Sequence, residues 1–248
     1  MNFLLCGDRS APAVLLIHGL GTTAELCYYR VARSLGRKYR VILACLDGHD
    51  PRSDAVFESL DLCCEKIERY IGSRFGGSVY ALGGFSLGAT AVLELVKRGN
   101  ISAEKLLLDS PCTSDLGLMK IPYTLFYTKG LQAMQIGIKP PNILTDKLFG
   151  EGNHAVCELM YKGEDAASAQ NACSAAYGYK ISRKLKGCSA DVQFWCGSRE
   201  KAPKKAARKL EKYIPAMKVR VFKDLGVGQM LCDHERAYIR EMKRFLQA

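Results

Sequence analysis

Residues 84–88 place one serine between two glycines, in the order Gly-Phe-Ser-Leu-Gly. An apolar run precedes this segment, and residues 89–96 have helical character and end before Gly99. In a sharp turn from strand to helix, small residues on both sides of the serine leave room for the facing backbone. The turn then presents the Ser86 hydroxyl at the edge of a sheet, where it could act as a nucleophile. An ordinary serine in a glycine-rich turn is the alternative interpretation.

The segments around Ser86 alternate between strand and helix patterns. Continuous apolar runs typical of strands buried on both faces occupy residues 13–17, 39–46, 78–83 and 105–109. Residues 1–7 are expected to form a short edge strand. Helices are predicted after a capping box at residues 22–25 and, from helical spacing, over residues 54–70. This alternation predicts a mostly parallel sheet with right-handed crossovers.

The alternation stops between residues 113 and 185, where no strand pattern is evident and prolines and glycines recur. We predict that this stretch is an inserted helical cap and that residues 1–112 and 186–248 form the core. Two further strands are predicted at residues 191–196 and 218–222, and a last helix begins near residue 233.

Length and composition limit the class of protein. A chain of 248 residues with 48% hydrophobic content is large enough for one α/β domain with an insertion. No apolar run has membrane-spanning length, and the N-terminal residues do not have the pattern of a signal peptide. The 11 cysteines are scattered without metal-ligand or disulfide spacing, so we expect a cytoplasmic protein without a metal site.

The net charge of +11 is concentrated in one segment. Residues 180–223 contain 14 lysines and arginines against three acids, and the remainder of the chain has 22 residues of each sign. Such a segment can attract an anionic substrate, an acidic partner or a membrane surface, although a solvated basic helix face is the simplest interpretation. No nucleic-acid-binding motif is present, so no nucleic-acid partner is expected.

Four motifs, in this order, resemble those of the α/β-hydrolase superfamily. They are His18-Gly19-Leu20-Gly21, the turn at residues 47–54 with Asp50 where glycine is usual, the elbow at residues 84–88, and residues 197–200 after a late strand. The resemblance implies an α/β-hydrolase fold with a mostly parallel sheet, flanking helices and a helical cap. It further implies an esterase-like or lipase-like serine hydrolase that forms an acyl-serine on Ser86 and needs no metal or organic cofactor.

The resemblance also implies an oxyanion hole. A tetrahedral intermediate needs preorganised N–H donors for its negative oxygen. The first should be the backbone N–H of Leu87, because amides at a helix start have no acceptor within the helix. The second should be the backbone N–H of Leu20, in the loop that follows the first buried strand. We interpret His18 as a structural residue that holds this loop.

The acid of a catalytic triad orients a histidine and stabilises its charged form. Glu200 occupies the position where the superfamily places its acid, after the penultimate strand. Because cations surround Glu200 in the sequence, an exposed ion pair is the alternative interpretation. Asp109, at the end of the preceding predicted strand, is the alternative acid.

The expected histidine is missing from the loop after the last strand. Alignment on Gly226 puts Val227 at the histidine position, and alignment on Gly228 puts Gln229 there. Neither side chain can act as a general base, because valine has no proton acceptor and an amide is not basic near neutral pH.

The remaining histidines leave few candidates for a base. His234 is the nearest in sequence and is the candidate that we assign, although a helix-start surface histidine is its ordinary role. His154 lies in the predicted cap and could fold over the site, whereas His49 belongs to a structural turn.

Three interpretations therefore stay open. The chain is a carboxylic ester hydrolase impaired by loss of its histidine, a non-catalytic ligand-binding protein of the same fold, or a hydrolase that uses an unusual histidine. The expected partner is a small ester or acyl ligand, without stable membrane insertion. The apolar residues 119–127 would suit a lid over an acyl pocket, and plain packing of a cap helix is the alternative.

Overall fold

The computed structural model describes residues 1–113, 116–138, 141 and 163–248. In this part of the chain, one seven-stranded sheet has the order β1-β3-β2-β4-β5-β6-β7. The strands are β1 (Asn2–Cys6), β2 (Ala13–Ile17), β3 (Arg40–Cys45), β4 (Ser78–Phe85), β5 (Ser102–Asp109), β6 (Asp191–Gly197) and β7 (Lys218–Phe222). The edge strand β1 runs antiparallel to β3, and the other pairs are parallel, which confirms the predicted mostly parallel sheet.

Helices cover both faces of the sheet. They are α1 (Ala24–Leu35), α2 (Leu60–Phe75), α3 (Leu87–Arg98), α4 (Lys120–Gln135), α5 (Ala166–Gly178), α6 (Lys201–Leu210), α7 (Gln229–Cys232) and α8 (Glu235–Gln247). One core layer packs α1 and α8 against one sheet face, and a second packs α2, α3, α5 and α6 against the other. Apolar side chains alternate between these layers along each strand, so the central strands are buried on both faces.

Side-chain caps determine where two of the helices begin. The Thr23 hydroxyl accepts from the Leu26 N–H, so α1 begins where the capping box predicts. The predicted start of α2 near residue 54 is wrong, because the helix begins at Leu60 and Ser59 is its cap. The Phe57 N–H instead donates to the Ser168 hydroxyl at 2.9 Å, which holds the preceding residues as a loop.

The helices α4 and α5 lie within the predicted cap and pack on one another. Tyr123 and Tyr177 join them with ring centroids 5.9 Å apart. Two hydrogen bonds to Phe57 hold α5 to the core. Near the start of α5, the Ser168 hydroxyl accepts from the Phe57 N–H, and one turn later the Asn171 amide donates to the Phe57 carbonyl at 3.0 Å. The boundaries 113 and 185 of the cap stay a prediction.

The apolar residues of α4 are divided between exposed and buried positions. Five of those in residues 119–127 are exposed, the buried side chains of α4 are Thr124 and Leu131, and the lid over an acyl pocket stays a prediction. Among the described residues, no helix is both long and apolar enough to cross a membrane.

Candidate active site

Ser86 lies at the junction of β4 and α3, as the elbow sequence predicts. Its φ of 53° and ψ of −114° are unusual for a residue other than glycine. The Ser86 N–H donates to the Asp109 carbonyl at 2.8 Å, and its own carbonyl accepts from the Thr90 N–H at 3.1 Å. These bonds hold the strained turn, and the side chain stays partly accessible.

Three glycines allow the backbone to close around Ser86. A Cβ on Gly84 would overlap the backbone of Gly88, and a Cβ on Gly88 would overlap the Ile17 carbonyl. A Cβ on Gly19 would lie 3.3 Å from the Ser86 Cβ, so the loop after β2 passes directly beside the nucleophile turn. Glycine is needed at these positions because any side chain would separate the loop, strand and helix.

The loop that carries Leu20 is held in place by His18. The buried imidazole accepts from the Leu46 N–H at Nε2, at 3.0 Å, so its Nδ1 carries the proton that is donated to the Gly19 carbonyl at 2.9 Å. Burial, followed by the nearby His49, lowers the pKa of His18 to about 3. His18 is therefore a neutral, structural residue, as its sequence position indicates.

The two candidate oxyanion donors lie on the elements where the sequence places them. Leu20 is partly buried in the loop beside Ser86, and Leu87 is the buried first residue of α3. An amide at this helix position has no acceptor within its own helix. The convergence of the two N–H groups on an oxyanion stays a prediction.

A thiol that the sequence analysis did not single out lies next to the nucleophile. The Cys112 Sγ is 3.3 Å from the Ser86 Oγ, and the Thr90 hydroxyl donates to the Cys112 carbonyl at 2.8 Å. Burial raises the pKa of this thiol, so it stays protonated near neutral pH. The sequence feature that could have indicated this contact is the position of Cys112, three residues after β5 and at the sheet edge that carries the elbow.

Glu200 is buried beside the sheet edge that carries Ser86, and it does not form an exposed ion pair. Its side chain turns back from the start of α6, where Oε1 accepts from the Gly197 N–H at 2.6 Å and from the Ser110 hydroxyl at 3.1 Å. The other carboxylate oxygen, Oε2, is buried and has no hydrogen-bond partner among the described residues. In a triad, an oxygen so placed would accept from a histidine N–H.

Asp109 forms a close pair with Glu200, because both carboxyl groups approach the Ser110 hydroxyl. The Ser110 Oγ also lies 3.2 Å from the Asp109 Oδ1, and one hydroxyl can donate to only one carboxylate at a time. Burial and then the charge of Glu200 raise the pKa of Asp109 to about 7, and burial also raises the pKa of Glu200. The assigned acid and the alternative acid are therefore neighbours that interact.

The loop after β7 is pressed against the turn that carries Glu200. A Cβ on Gly197 would overlap the Leu225 carbonyl, which accepts from the Arg199 N–H at 3.0 Å. Val227 is partly buried against the core layer that contains α1 and α8. The Gln229 amide closes the loop, since its Oε1 accepts from the Gly226 N–H at 2.7 Å. Val227 thus lies in a loop that contacts the turn carrying the acid, and Gln229 is the first residue of α7, directly after this loop.

The histidines that were considered as a base have different surroundings. His234 is exposed at the start of α8, and no hydrogen bond among the described residues joins its ring to Ser86 or Glu200. Its assignment as the base stays a prediction. His154 lies outside the described residues. His49 is buried, and its Nε2 lies 2.8 Å from the Glu164 carboxylate, which is a structural role.

Comparisons with known proteins agree with this fold. A sequence model described as "Alpha/beta hydrolase family" matches residues 14–241. The crystal structure of an alpha/beta hydrolase family protein from Desulfitobacterium hafniense superimposes with a TM-score of 0.90 and 23% identity, covering 99% of this chain and 100% of that chain. None of the curated protein sequences matches this chain.

Two other solved structures superimpose on this chain with lower TM-scores. An enol-lactonase from Burkholderia xenovorans LB400 gives a TM-score of 0.78 at 15% identity and covers 100% of this chain and 96% of that chain. A lipase-esterase related protein from Clostridium acetobutylicum gives 0.75 at 16% identity, with 98% of each chain covered. At these identities the structures are evidence of a shared fold and not of a shared substrate.

Proposed function

Because the chain belongs to the alpha/beta hydrolase family, we propose that it is a serine hydrolase of carboxylic esters that acts through an acyl-serine on Ser86. Its turnover is slow, because Val227 and Gln229 stand where the histidine base is expected. The observation that carries the proposal is the conformation of Ser86. A φ of 53° at a strand-to-helix turn costs free energy, and it presents the hydroxyl to a ligand at the sheet edge.

The proposed reaction uses the elements around this turn. The Ser86 oxygen bonds to the ester carbonyl carbon, and the carbonyl electrons move to the oxygen, which the N–H groups of Leu20 and Leu87 stabilise. The intermediate collapses, the bond to the alcohol oxygen breaks, and the alcohol leaves with a proton. Water then hydrolyses the acyl-serine and regenerates the Ser86 hydroxyl.

The missing base sets the expected rate. Without a histidine, the Ser86 proton passes to water, and the contribution of general-base catalysis, about 10²–10⁴-fold, is lost. The oxyanion donors and the strained nucleophile remain, and these groups sustain residual catalysis even in triads that lack one member. The Oε2 of Glu200, which has no hydrogen-bond partner in the part of the chain that the structure describes, supports this interpretation, since it is the oxygen that would hold the absent histidine.

The experiment is to incubate the protein with short p-nitrophenyl esters and with a fluorophosphonate probe, and to locate any adduct by peptide mass spectrometry. We expect slow release of nitrophenol and an adduct on Ser86 that is absent from Ser86→Ala. An adduct on another residue, or equal turnover by Ser86→Ala, would contradict the mechanism. Loss of turnover in His234→Ala or His154→Ala would show instead that an unusual histidine serves as the base.

The second candidate function is binding of an ester or acyl ligand without turnover. Gln229 favours it, because its amide is committed to hydrogen bonds with Gly226 and with Asp233, at 3.3 Å, and not to the nucleophile. A ligand-binding protein would show background turnover and no adduct, but a ligand would raise its melting temperature. The adduct on Ser86 distinguishes the two functions.

A further inference from the structure

The outer surface of the cap is apolar to an unusual degree. Of the 14 large apolar side chains that are exposed among the described residues, eight lie between residues 118 and 138. They are Leu118, Met119, Ile121, Tyr123, Leu125, Phe126, Ile136 and Ile138. Leu118 exposes 88% of its surface and Ile136 exposes 76%. A concentration of this kind marks a surface that contacts an apolar partner. We call these eight residues the apolar cap surface.

The charged side chains within the segment that carries this surface have one sign, although Asp165 follows Glu164, whose carbonyl accepts from the Gln135 amide at 2.7 Å. Residues 116–138 contain Lys120 and Lys129 and no aspartate or glutamate. The beginning of this segment meets the end of α5, because the Leu116 N–H donates to the Tyr177 carbonyl at 3.0 Å. A Cβ built on Gly178 would also lie 3.5 Å from the Lys120 Nζ. The apolar cap surface is therefore adjacent to the residues that follow α5.

These following residues are basic and exposed. Residues 180–186 contain four cations and no acid, and the side chains of Arg183, Lys184 and Lys186 are exposed around the buried Leu185. We call these three cations the basic segment. They belong to the stretch that holds the whole charge excess of the protein, and neither the elbow nor the acid pair uses them.

We propose that the apolar cap surface and the basic segment together dock the protein on an anionic lipid bilayer. Apolar side chains gain free energy by leaving water for the interfacial region, and lysines and arginines near an anionic membrane are attracted to its surface potential. The strength of such binding scales with the apolar area buried plus this attraction, and both contributions are available here. A second copy of this chain fits less well, because it would bring the same cations together. This proposal is independent of catalysis at Ser86.

The test measures binding of the full chain to sedimented lipid vesicles. One set contains phosphatidylcholine only, and the other contains phosphatidylcholine with phosphatidylglycerol. We expect binding to the anionic vesicles at least about tenfold tighter, and weaker at high salt, because Lys and Arg are attracted to the surface potential. No binding, or equal binding to both kinds of vesicle, would overturn the proposal.

Variants separate this surface from a general effect of net charge. Leu118→Ser/Ile121→Ser removes apolar area, and its matched control, Leu26→Ser/Tyr29→Ser, removes exposed apolar side chains from α1. We expect the first variant to lose at least about tenfold in affinity, since buried CH₂ groups carry the interfacial binding. The control should change affinity less than about twofold, since single exposed apolar residues are ordinary.

A second pair tests the cations. Arg183→Ser/Lys184→Ser/Lys186→Ser should lose at least about tenfold in affinity, because these three charges lie beside the apolar surface. Lys201→Ser/Lys205→Ser/Lys209→Ser, which removes the same charge from α6, should lose much less. Equal losses would show attraction by net charge alone and overturn the docking surface. Self-association that Leu118→Ser/Ile121→Ser abolishes would assign the surface to a dimer. All substituted side chains are exposed, and circular dichroism checks that each variant is folded.

Discussion

Asp109 and Glu200 lie on neighbouring strand ends and approach the same hydroxyl, with the Ser110 Oγ 3.2 Å from Asp109 and 3.1 Å from Glu200. Both carboxyl groups are buried, at 7% and 5% exposure. Two negative charges are unfavourable there, so the pair retains a proton more readily than exposed carboxyls do.

This pair makes stability depend on pH. The pKa of Asp109 is about 7 in the folded protein and 3.8 in its ordinary environment, so the folded state binds more protons between these values. The free energy of unfolding therefore falls as pH rises through this window. We expect Asp109→Asn to be more stable than the natural protein at pH 8, with a smaller difference at pH 5. Urea unfolding at both pH values measures this.

The matched control for the pH effect is Glu211→Gln, which removes an exposed carboxylate after α6. Its effect on the free energy of unfolding should be within about 0.5 kcal/mol at either pH, as for other surface substitutions. A stabilisation by Asp109→Asn that is the same at pH 5 and pH 8 would contradict the claim that the folded pair of Asp109 and Glu200 retains a proton in this pH range.

The elbow glycine Gly88 should not tolerate a side chain. Gly88→Ala places a Cβ against the Ile17 backbone, which cannot move without separating β2 from α3. We expect a loss of stability above about 4 kcal/mol, or no folded protein. In contrast, Gly72→Ala, in the exposed part of α2 with nothing within 4 Å of the new Cβ, should stabilise by about 0.5–1 kcal/mol. Thermal unfolding distinguishes the two, and similar effects would contradict the tight elbow.

The buried ion pair of His49 and Glu164 should hold the cap to the core. Burial is the largest single effect and lowers the pKa of His49, but the Glu164 charge together with the hydrogen bonds to Glu164 and to the Asp47 carbonyl outweighs it, and the net pKa is raised. Because both side chains have no exposure, Glu164→Ala should cost about 3–5 kcal/mol at pH 6. The stabilisation is complete below the ordinary pKa of 6.5 and is lost as pH rises through the folded pKa.

The control for this ion pair is Glu235→Ala, which breaks the exposed pair with Arg30 at 3.1 Å. An exposed pair contributes about 0–1 kcal/mol, so chemical denaturation should show a small effect. Equal effects of Glu164→Ala and Glu235→Ala at pH 6 would argue against a structural role for the buried pair.

Features that depend on neighbouring residues could be predicted from the sequence. Gly84, whose added Cβ would overlap the backbone of Gly88, and the Thr23 cap are of this kind, because their requirements arise within one turn. The glycine at 88 was predicted from the elbow pattern, although the contact that requires it is with Ile17 on β2. The beginning of α2 was predicted wrongly because Phe57 is held as a loop by Ser168, which is more than a hundred residues away in the chain.

Features that depend on tertiary contacts could not be predicted. The proximity of Asp109 to Glu200 follows from the register that pairs Asp109 with Trp195 across β5 and β6. The contact of Cys112 with Ser86 likewise needs the folded sheet edge. Hydrophobic composition indicated a helix of the cap near α4, but it could not show which of its apolar side chains are exposed and which, like Leu131, are buried.

The central claim is that the site lacks only its base. Val227 lies in the loop pressed against the Glu200 turn and Gln229 begins α7 directly after it, and the Glu200 Oε2 has no hydrogen-bond partner among the described residues. We expect a histidine at the correct position to donate to this oxygen and to accept the Ser86 proton. Because Gln229 closes the loop through Gly226, replacing Val227 disturbs less of the structure.

The most direct measurement is the rate of fluorophosphonate labelling of Ser86 in Val227→His, with Gln229→His, the natural chain and Ser86→Ala measured in parallel. We predict that Val227→His labels at least about 10²-fold faster than the natural chain, as expected for restored general-base catalysis. Labelling that neither histidine variant accelerates, in protein shown to be folded, would contradict the claim and favour the ligand-binding function.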